Sequence, residues 1–224
     1  MNECIFLFHI VTILLFTLVS FRLGKTALGA WLCIQVLCAN LFVMKQVVLF
    51  GFHVTCSDVF AIGSILSLNL LQEHYGPKVT QQAASHCFYF MLFFAILSQI
   101  HLLYTPSLQD STQTAYEILL SPAPRLLFAS LLTFFIVKKI DFHLFSKLKR
   151  LLPSSSFALR TFFSLTASQL LDTLLFSYIG LYGLVYSLSD MILLSFVIKA
   201  LVICVLFPLT YLSRKWIQPK EVTL

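Results

Sequence analysis

Asp172 and Lys199 are the residues whose types and positions most clearly indicate chemistry, because each lies well inside a long apolar stretch. If these stretches are membrane helices, a rise of about 1.5 Å per residue places each charge about 12 Å from the outer end of its helix. An unpaired charge at that depth costs at least about 2.5 to 3.5 kcal/mol, so such residues usually pair and face a cavity or the bundle interior. We therefore expect Asp172 and Lys199 to face each other or a shared ligand, with a purely structural ion pair as the alternative.

The octapeptide NLLQEHYG, residues 69–76, places an amide and a carboxylate one helical turn apart at the end of another apolar stretch. Glu73 has two interpretations: it marks a helix end in the membrane interface, or it belongs to a polar site. Asn69 favours the second, because a buried amide needs hydrogen-bond partners for both its oxygen and its nitrogen. We therefore expect a polar cavity lined from several helices. Its predicted lining is Gln35, Asn40, Asn69, Glu73, Gln169, Asp172 and Lys199.

Two segments, KKIDFHLF at 138–145 and SQLLDTLLF at 168–176, share a pattern. Each has a polar residue three positions before an aspartate and an aromatic residue four positions after it, spacings that place the trio on one helical face. The trios are Lys138, Asp141 and Phe145, and Gln169, Asp172 and Phe176; they are preceded by Arg125 and Ser130, and by Arg160 and Ser164. The Arg and Ser spacings differ, so ordinary amphipathicity explains the pattern about as well as an internal duplication of the kind found in transporters.

The elements that must position these residues are membrane helices. Hydrophobic residues make up 59% of the 224, charged residues 11%, and the mean hydropathy is +0.92, whereas a soluble domain has roughly 45 to 50% apolar and about 25% charged residues. Crossing about 30 Å of hydrocarbon takes about 20 helical residues. The qualifying stretches are Cys4–Phe21, Thr26–Met44, Cys56–Tyr75, Gln82–Tyr104, Pro122–Ile140, Phe157–Gly180 and Met191–Leu212. The prediction is an all-α, polytopic membrane helix bundle with seven spans in a single domain.

The distribution of basic residues predicts the orientation of these spans. Every second connection is rich in Lys and Arg, with Lys45 as the exception, whereas residues 105–121 and 181–190 contain neither. The positive-inside rule places the basic connections in the cytoplasm, which puts the N-terminus outside and the C-terminus inside. Residues 1–25 are expected to form an extra N-terminal span, retained because it lacks the basic start and the cleavage site of a signal peptide. Residues 26–212 would form the core and 213–224 a cytoplasmic tail.

Several function classes lack their characteristic residues in this sequence. The six cysteines lie almost entirely in apolar stretches without a CxxC pair, and the histidines show no metal-ligand spacing, so no metal site is predicted. The chain has no P-loop, no HExxH and no nucleophile elbow, so we expect neither an enzyme nor a bound cofactor. The net charge of +6 follows from the asymmetry of the connections and does not indicate binding to nucleic acid.

The order and spacing of several segments resemble the queuosine precursor transporter family, which is grouped with vitamin uptake transporters. These segments are FGFHVTCSD, NLLQEHYGPK, RLLFAS with DFHLFSKLK, RTFFSLTASQLLDTLLF and KALVICVLFPLTY, and the resemblance covers about residues 26–212. The positions that match family motifs are Glu73, Tyr75, Gly76, Arg125, Ser130, Asp141, Phe145, Arg160, Ser164, Gln169, Asp172, Phe176, Lys199, Pro208 and Tyr211. Asn69 stands where the family usually has Asp, and Lys138 stands where Gln is frequent.

The resemblance implies a multi-pass importer of 7-deazaguanine bases in the bacterial inner membrane. Its substrates would be 7-cyano-7-deazaguanine, 7-aminomethyl-7-deazaguanine or queuine, which are precursors of a modified base in transfer RNA. A guanine-like ring presents adjacent N–H donors that one carboxylate can accept, and its carbonyl edge accepts from Lys, Arg or an amide. The predicted substrate-binding residues are Asp172, Lys199, Gln169, Arg125, Glu73, Asn69 and Asn40.

Secondary transport through alternating exposure of the cavity is the first expectation. The alternative is a substrate-binding membrane subunit that a separate ATPase energises, and a third interpretation is a membrane enzyme or assembly factor without transport. The expected partners are a small nucleobase-like substrate and the lipid bilayer, with no nucleic acid. Proton coupling through Glu73, Asp141 or Asp172 and a homo-oligomeric state stay open.

Overall fold

The computed structural model describes the chain at residues 1–151 and 157–216. In these ranges the chain forms long helices and one small hairpin, so the predicted helical class is confirmed. The elements are α1 (Asn2–Arg22), α2 (Lys25–Phe42), β1 (Gln46–Leu49), β2 (Phe52–Thr55), α3 (Asp58–Leu102), α4 (Gln113–Leu120), α5 (Ala123–Leu151), α6 (Phe157–Phe176) and α7 (Leu188–Trp216). One π-helical turn, Ser177–Leu181, extends α6.

The 45-residue helix α3 is interrupted near its middle. Gly76 has a φ of 83° and a ψ of 172°, a backbone conformation that favours glycine, and Pro77 follows it. Pro77 has no backbone N–H, and its ring prevents the preceding turn from continuing as a regular helix. The predicted end of the third span at Tyr75 is therefore confirmed, and the break divides α3 into residues 58–75 and 77–102.

Four helical segments of the described residues are long and apolar enough to cross a membrane, namely Asn2–Arg22, Lys25–Phe42, Asp58–Leu102 and Gln113–Asp141. The third would measure about 68 Å if straight, more than twice the roughly 30 Å of hydrocarbon, so the break at Gly76 leaves two lengths suited to one crossing each. The seven-span count and the outside N-terminus and inside C-terminus remain predictions.

The packing of α1, α2 and α3 against one another combines a shared apolar core with a close approach at one glycine. Leu28 and Leu71 are completely buried between these helices. A Cβ atom added at Gly63 would collide with the Gln35 Oε1 atom on α2 and with a methyl group of Ile13 on α1. Gly63 therefore allows the other two helices to approach α3 closely.

The β1–β2 hairpin is an element that the sequence analysis did not predict. Its strands pair antiparallel with Leu49 opposite Phe52, and the turn between them, Phe50 and Gly51, has φ values of 51° and 85°. Positive φ at both turn residues is the requirement of a type I′ turn, which matches the twist of a two-residue hairpin. Leu49 and Val54 are buried against apolar residues of α3 and α7. The hairpin marks one end of the bundle, called here the hairpin end, and Gly76 marks the opposite end, the Gly76 end.

Candidate functional site

A cavity of about 310 Å³ lies at the hairpin end, where α2 ends, where α3 and α7 begin, and where α6 passes into its π-helical turn. Small-molecule sites in proteins usually measure roughly 300 to 1,000 Å³, so the volume suits a compact ligand. The polar and charged residues that line it are Asn40, Thr55, Ser57, Asp58, Ser64, Ser130, Asp172, Thr173, Ser177, Ser195 and Lys199. The cavity therefore lies at the junction of five helices, α2, α3, α5, α6 and α7, and combines polar and charged groups with apolar walls.

The predicted pairing of Asp172 with Lys199 is confirmed. The Lys199 Nζ atom lies 3.1 Å from Asp172 Oδ2 and donates a second hydrogen bond of 3.1 Å to Thr173 Oγ1. Lys199 is only 8% exposed, so its charge is compensated chiefly by this carboxylate. Because α6 and α7 both contribute, the pair links two helices beside the cavity, while its role in substrate binding stays a prediction.

Asp58 is a second carboxylate in the cavity, and the sequence analysis did not select it. Ser195 Oγ on α7 donates a hydrogen bond of 2.6 Å to Asp58 Oδ1 at the start of α3. Ser195 and Lys199 lie four residues apart and therefore share a helical face. The only signal in the sequence is the position of Asp58 at the end of the FGFHVTCSD segment, and it does not indicate which residue Asp58 contacts.

Asn40 also lines the cavity, as predicted, and offers it a hydrogen-bond acceptor. Its Nδ2 atom donates to the Val36 carbonyl at 2.8 Å. Its Oδ1 atom is buried and has no hydrogen-bond partner among the described residues. A buried polar atom without a partner costs about 1 to 3 kcal/mol, so a ligand N–H group at this position would be stabilising.

Three phenylalanines supply the apolar wall of the cavity: Phe88, Phe134 and Phe176. The rings of Phe88 and Phe134 meet edge to face with centroids 4.8 Å apart. Aromatic faces stack on planar groups, and such pairs contribute about 0.5 to 1.5 kcal/mol beyond their buried area. Flat aromatic walls beside charged groups favour a planar, polar ligand.

Two hydrogen bonds and one contact between aromatic rings close the hairpin end. The backbone N–H of His53 in β2 donates to Asp190 Oδ2 at 3.1 Å, and the backbone N–H of Tyr186 donates to Gln46 Oε1 at 2.8 Å. The rings of His53 and Tyr186 lie 4.7 Å apart. The hairpin is thus tied to the first turn of α7 and to the segment just before it.

Asn69 and Glu73, two of the predicted binding residues, do not line this cavity. Along α3 they lie 11 and 15 residues beyond Asp58, which corresponds to about 17 and 23 Å toward the Gly76 end. Gln35 is also absent from the lining: it is completely buried, and its Nε2 atom donates to Ser67 Oγ at 3.2 Å. A binding role for Asn69 and Glu73 stays a prediction that this cavity does not include.

Gln169 and Arg125 lie near the site without lining it. The Gln169 carbonyl accepts a hydrogen bond of 2.9 Å from Thr173 Oγ1, which places Gln169 one turn from the ion pair. The Arg125 guanidinium donates to the carbonyls of Ile179 and Tyr182 at 2.9 and 2.7 Å. Arg125 therefore binds backbone groups released where α6 ends, and any contact of either residue with substrate stays a prediction.

The repeated motif places its two aspartates in different surroundings. Asp141 Oδ1 accepts hydrogen bonds from Ser164 Oγ at 2.6 Å and Ser168 Oγ at 2.7 Å, whereas Asp172 pairs with Lys199. The remaining motif positions Lys138, Phe145, Arg160, Pro208 and Tyr211 have side chains that lie outside the described residues.

Comparisons with known proteins point to transport. A family whose description is "Putative vitamin uptake transporter" matches residues 55–213 of the chain. The chain is also 31% identical over 217 residues to the probable queuosine precursor transporter of Bacillus subtilis (strain 168), a match that covers 95% of this chain and 93% of that protein. No solved structure matches the chain.

Proposed function

The chain belongs to the vitamin uptake transporter family, and from this premise we propose that it imports queuosine precursors across the bacterial inner membrane. It is a multi-pass membrane transporter, and 7-deazaguanine bases are the proposed cargo because the Bacillus subtilis relative is named for queuosine precursors. The proposed mechanism is secondary transport, in which the cavity opens alternately to the two sides of the membrane.

The cavity that contains the Asp172–Lys199 pair is the observation that carries this proposal. A 7-deazaguanine presents N1–H and an exocyclic amine side by side, a pair of donors that a carboxylate such as Asp172 accepts in a bidentate manner. The adjacent carbonyl O6 accepts from an ammonium such as that of Lys199. Asn40 Oδ1 supplies a further acceptor, and the phenylalanine wall supplies faces for stacking.

Uptake by the purified chain in liposomes tests this function directly. Labelled 7-cyano-7-deazaguanine, 7-aminomethyl-7-deazaguanine and queuine would be offered with and without a proton gradient. We expect the chain alone to accumulate at least one base, and stimulation by the gradient would identify proton coupling. If none of the bases enters without a separate ATPase, secondary transport is wrong and the energised-subunit alternative is favoured.

Variants of the ion pair test the site. Removing one partner of a buried, hydrogen-bonded charge pair costs about 2 to 5 kcal/mol. Because Asp172 is partly exposed, we expect the lower end of this range, so Asp172→Asn and Lys199→Met should each lower the uptake rate by about 30-fold. Asp110→Asn is a matched control, because Asp110 is exposed in the connection between α3 and α4. If the two site variants insert normally and transport at the parental rate, the assignment of the site is wrong.

A further inference from the structure

We propose that Asp58 selects substrates whose substituent at position 7 carries an ammonium group, an inference that rests on the proposed import of 7-deazaguanine bases. The nitrile of 7-cyano-7-deazaguanine is neutral. The alkylamine of 7-aminomethyl-7-deazaguanine is protonated near neutral pH, like the side chain of lysine. Asp58 would thus act as a specificity-determining residue that distinguishes two precursors with the same ring.

The ionisable groups around the cavity are unbalanced in favour of carboxyl groups. Two of these line the cavity, Asp58 and Asp172, against one ammonium, that of Lys199. Lys199 Nζ is hydrogen-bonded to Asp172 Oδ2, and within the described residues Asp58 has no ion-pair partner. A nearby cation stabilises the charged form of a carboxyl group, so a cationic ligand would supply the missing positive charge.

The hydrogen bonds of Asp58 leave one of its oxygens available. Oδ1 accepts from Ser195 Oγ at 2.6 Å, and within the described residues no hydrogen bond reaches Oδ2. Asp58 does not cap its own helix, because the N-cap residue of α3 is Ser57 and no side-chain hydrogen bond is formed there. Its side chain instead contacts α7 beside the cavity.

The order of charged groups matches the rim of the proposed substrate. On α7, Lys199 donates to Asp172, and Ser195, one turn earlier, donates to Asp58, so the two carboxyl groups are held from the same face of α7. Around a 7-deazaguanine, the carbonyl O6 lies between the N1–H edge and the substituent at position 7. Asp172 at the N1–H edge and Lys199 at O6 leave Asp58 for the substituent. The unpartnered Oδ1 of Asn40 is a separate acceptor for a ring N–H.

A pair of isosteric competitors tests the charge preference without altering the protein. In liposomes with the parental chain, 7-aminomethyl-7-deazaguanine and its 7-hydroxymethyl analogue would each compete with labelled 7-cyano-7-deazaguanine. The two have nearly the same size and differ in charge. Since charge-assisted hydrogen bonds are about twice as strong as neutral ones, we expect the aminomethyl base to inhibit at about tenfold lower concentration. Equal inhibition by the two compounds would overturn the proposal.

Asp58→Asn then assigns the preference to a residue. Both competitors should inhibit uptake of the labelled nitrile by Asp58→Asn at the same concentration, whatever the rate of that uptake, and Asp110→Asn should keep the parental preference. If Asp58→Asn keeps the tenfold difference, Asp58 is not the selecting residue.

A second variant covers the case in which Asp58→Asn fails to insert. Ser195→Ala frees Asp58 Oδ1 and keeps the carboxylate, so it must retain the preference or the proposal is wrong. Absence of transport of every base by the parental chain would refute the proposed function itself, a different result from transport without charge preference.

Discussion

Asp141 on α5 and Asp172 on α6 occupy corresponding positions in two similar segments, yet the structure surrounds them differently. Asp141 accepts two serine hydroxyls from α6 and, among the described residues, forms no ion pair. Asp172 binds the Lys199 ammonium from α7 beside a cavity. The same motif position thus serves as a joint between two helices in one copy and as half of a charged site in the other. Substitutions around Asp141 should therefore change stability, and substitutions around Asp172 should change transport.

Among the variants that test the difference between Asp141 and Asp172, Lys199→Met is expected to have the largest effect. It leaves the partly buried Asp172 carboxylate without its counter-ion, and breaking a fully buried ion pair in this way costs about 3 to 5 kcal/mol, an upper limit here. We expect a low yield of inserted protein and no measurable uptake. Yield would be measured by size-exclusion chromatography of a fluorescent fusion, and uptake would be measured with labelled base.

The double variant Asp172→Asn with Lys199→Met separates folding from function. Removing both charges together eliminates the uncompensated one, and a double-mutant cycle measures the coupling between them. We expect the yield to return toward the parental value while uptake stays absent. Parental uptake by the double variant would show that the pair is only structural. Asp172 would then serve stability alone, as Asp141 is expected to do.

Ser164→Ala combined with Ser168→Ala tests the other aspartate. The change removes both hydroxyl donors of Asp141 and should destabilise the protein by about 1 to 3 kcal/mol, the cost of an unsatisfied buried polar group. The thermal midpoint in detergent should fall by several degrees, while the relative uptake of the three bases stays unchanged. Ser85→Ala is the control, since the exposed Ser85 hydroxyl donates only to the Gln81 carbonyl. Altered base preference in the double serine variant would mean that Asp141 also takes part in recognition.

Thr173→Val is expected to have the smallest effect. It removes one partner of the Lys199 ammonium and keeps the ion pair with Asp172, so a loss of about 0.5 to 1.5 kcal/mol should lower uptake by about two- to tenfold. Thr12→Val is closely matched, because both hydroxyls donate to a carbonyl four residues earlier and only that of Thr173 also accepts from a lysine. Equal uptake by the two variants would show that Thr173 contributes nothing to the site.

The features that could be predicted from the sequence are caused by the residues of one segment or by the high free energy of an unpaired charge in an apolar helix. Apolar stretches of sufficient length predicted the helices and the end of the third span at Tyr75. The break there has a local cause, because Gly76 and Pro77 act through their own backbone. The pairing of Asp172 with Lys199 could be predicted because two charges at matching depth in apolar helices have few other partners.

The features that could not be predicted depend on how distant segments pack. Phe50 adopts a positive φ, which is uncommon for a bulky residue and gives no turn signal in the sequence. Asp58 resembles an ordinary acidic residue at a helix start, and only the packing of α7 against α3 brings Ser195 to it. The contacts of Arg125 with two carbonyl groups at the π-helical end of α6 also depend on packing, and its role in substrate binding stays a prediction.

The closure at the hairpin end has a consequence for mutational tolerance. In both hydrogen bonds that close it, the donor is a backbone N–H, that of His53 or of Tyr186, and the acceptor is a side chain, that of Asp190 or of Gln46. Any residue except proline supplies a backbone N–H. In a saturation scan scored by growth on an imported precursor, the donor positions should tolerate most substitutions apart from proline and those that lose the contact between their rings. The acceptor positions should tolerate few substitutions. The scan should therefore show strong constraint at only one partner of each hydrogen bond.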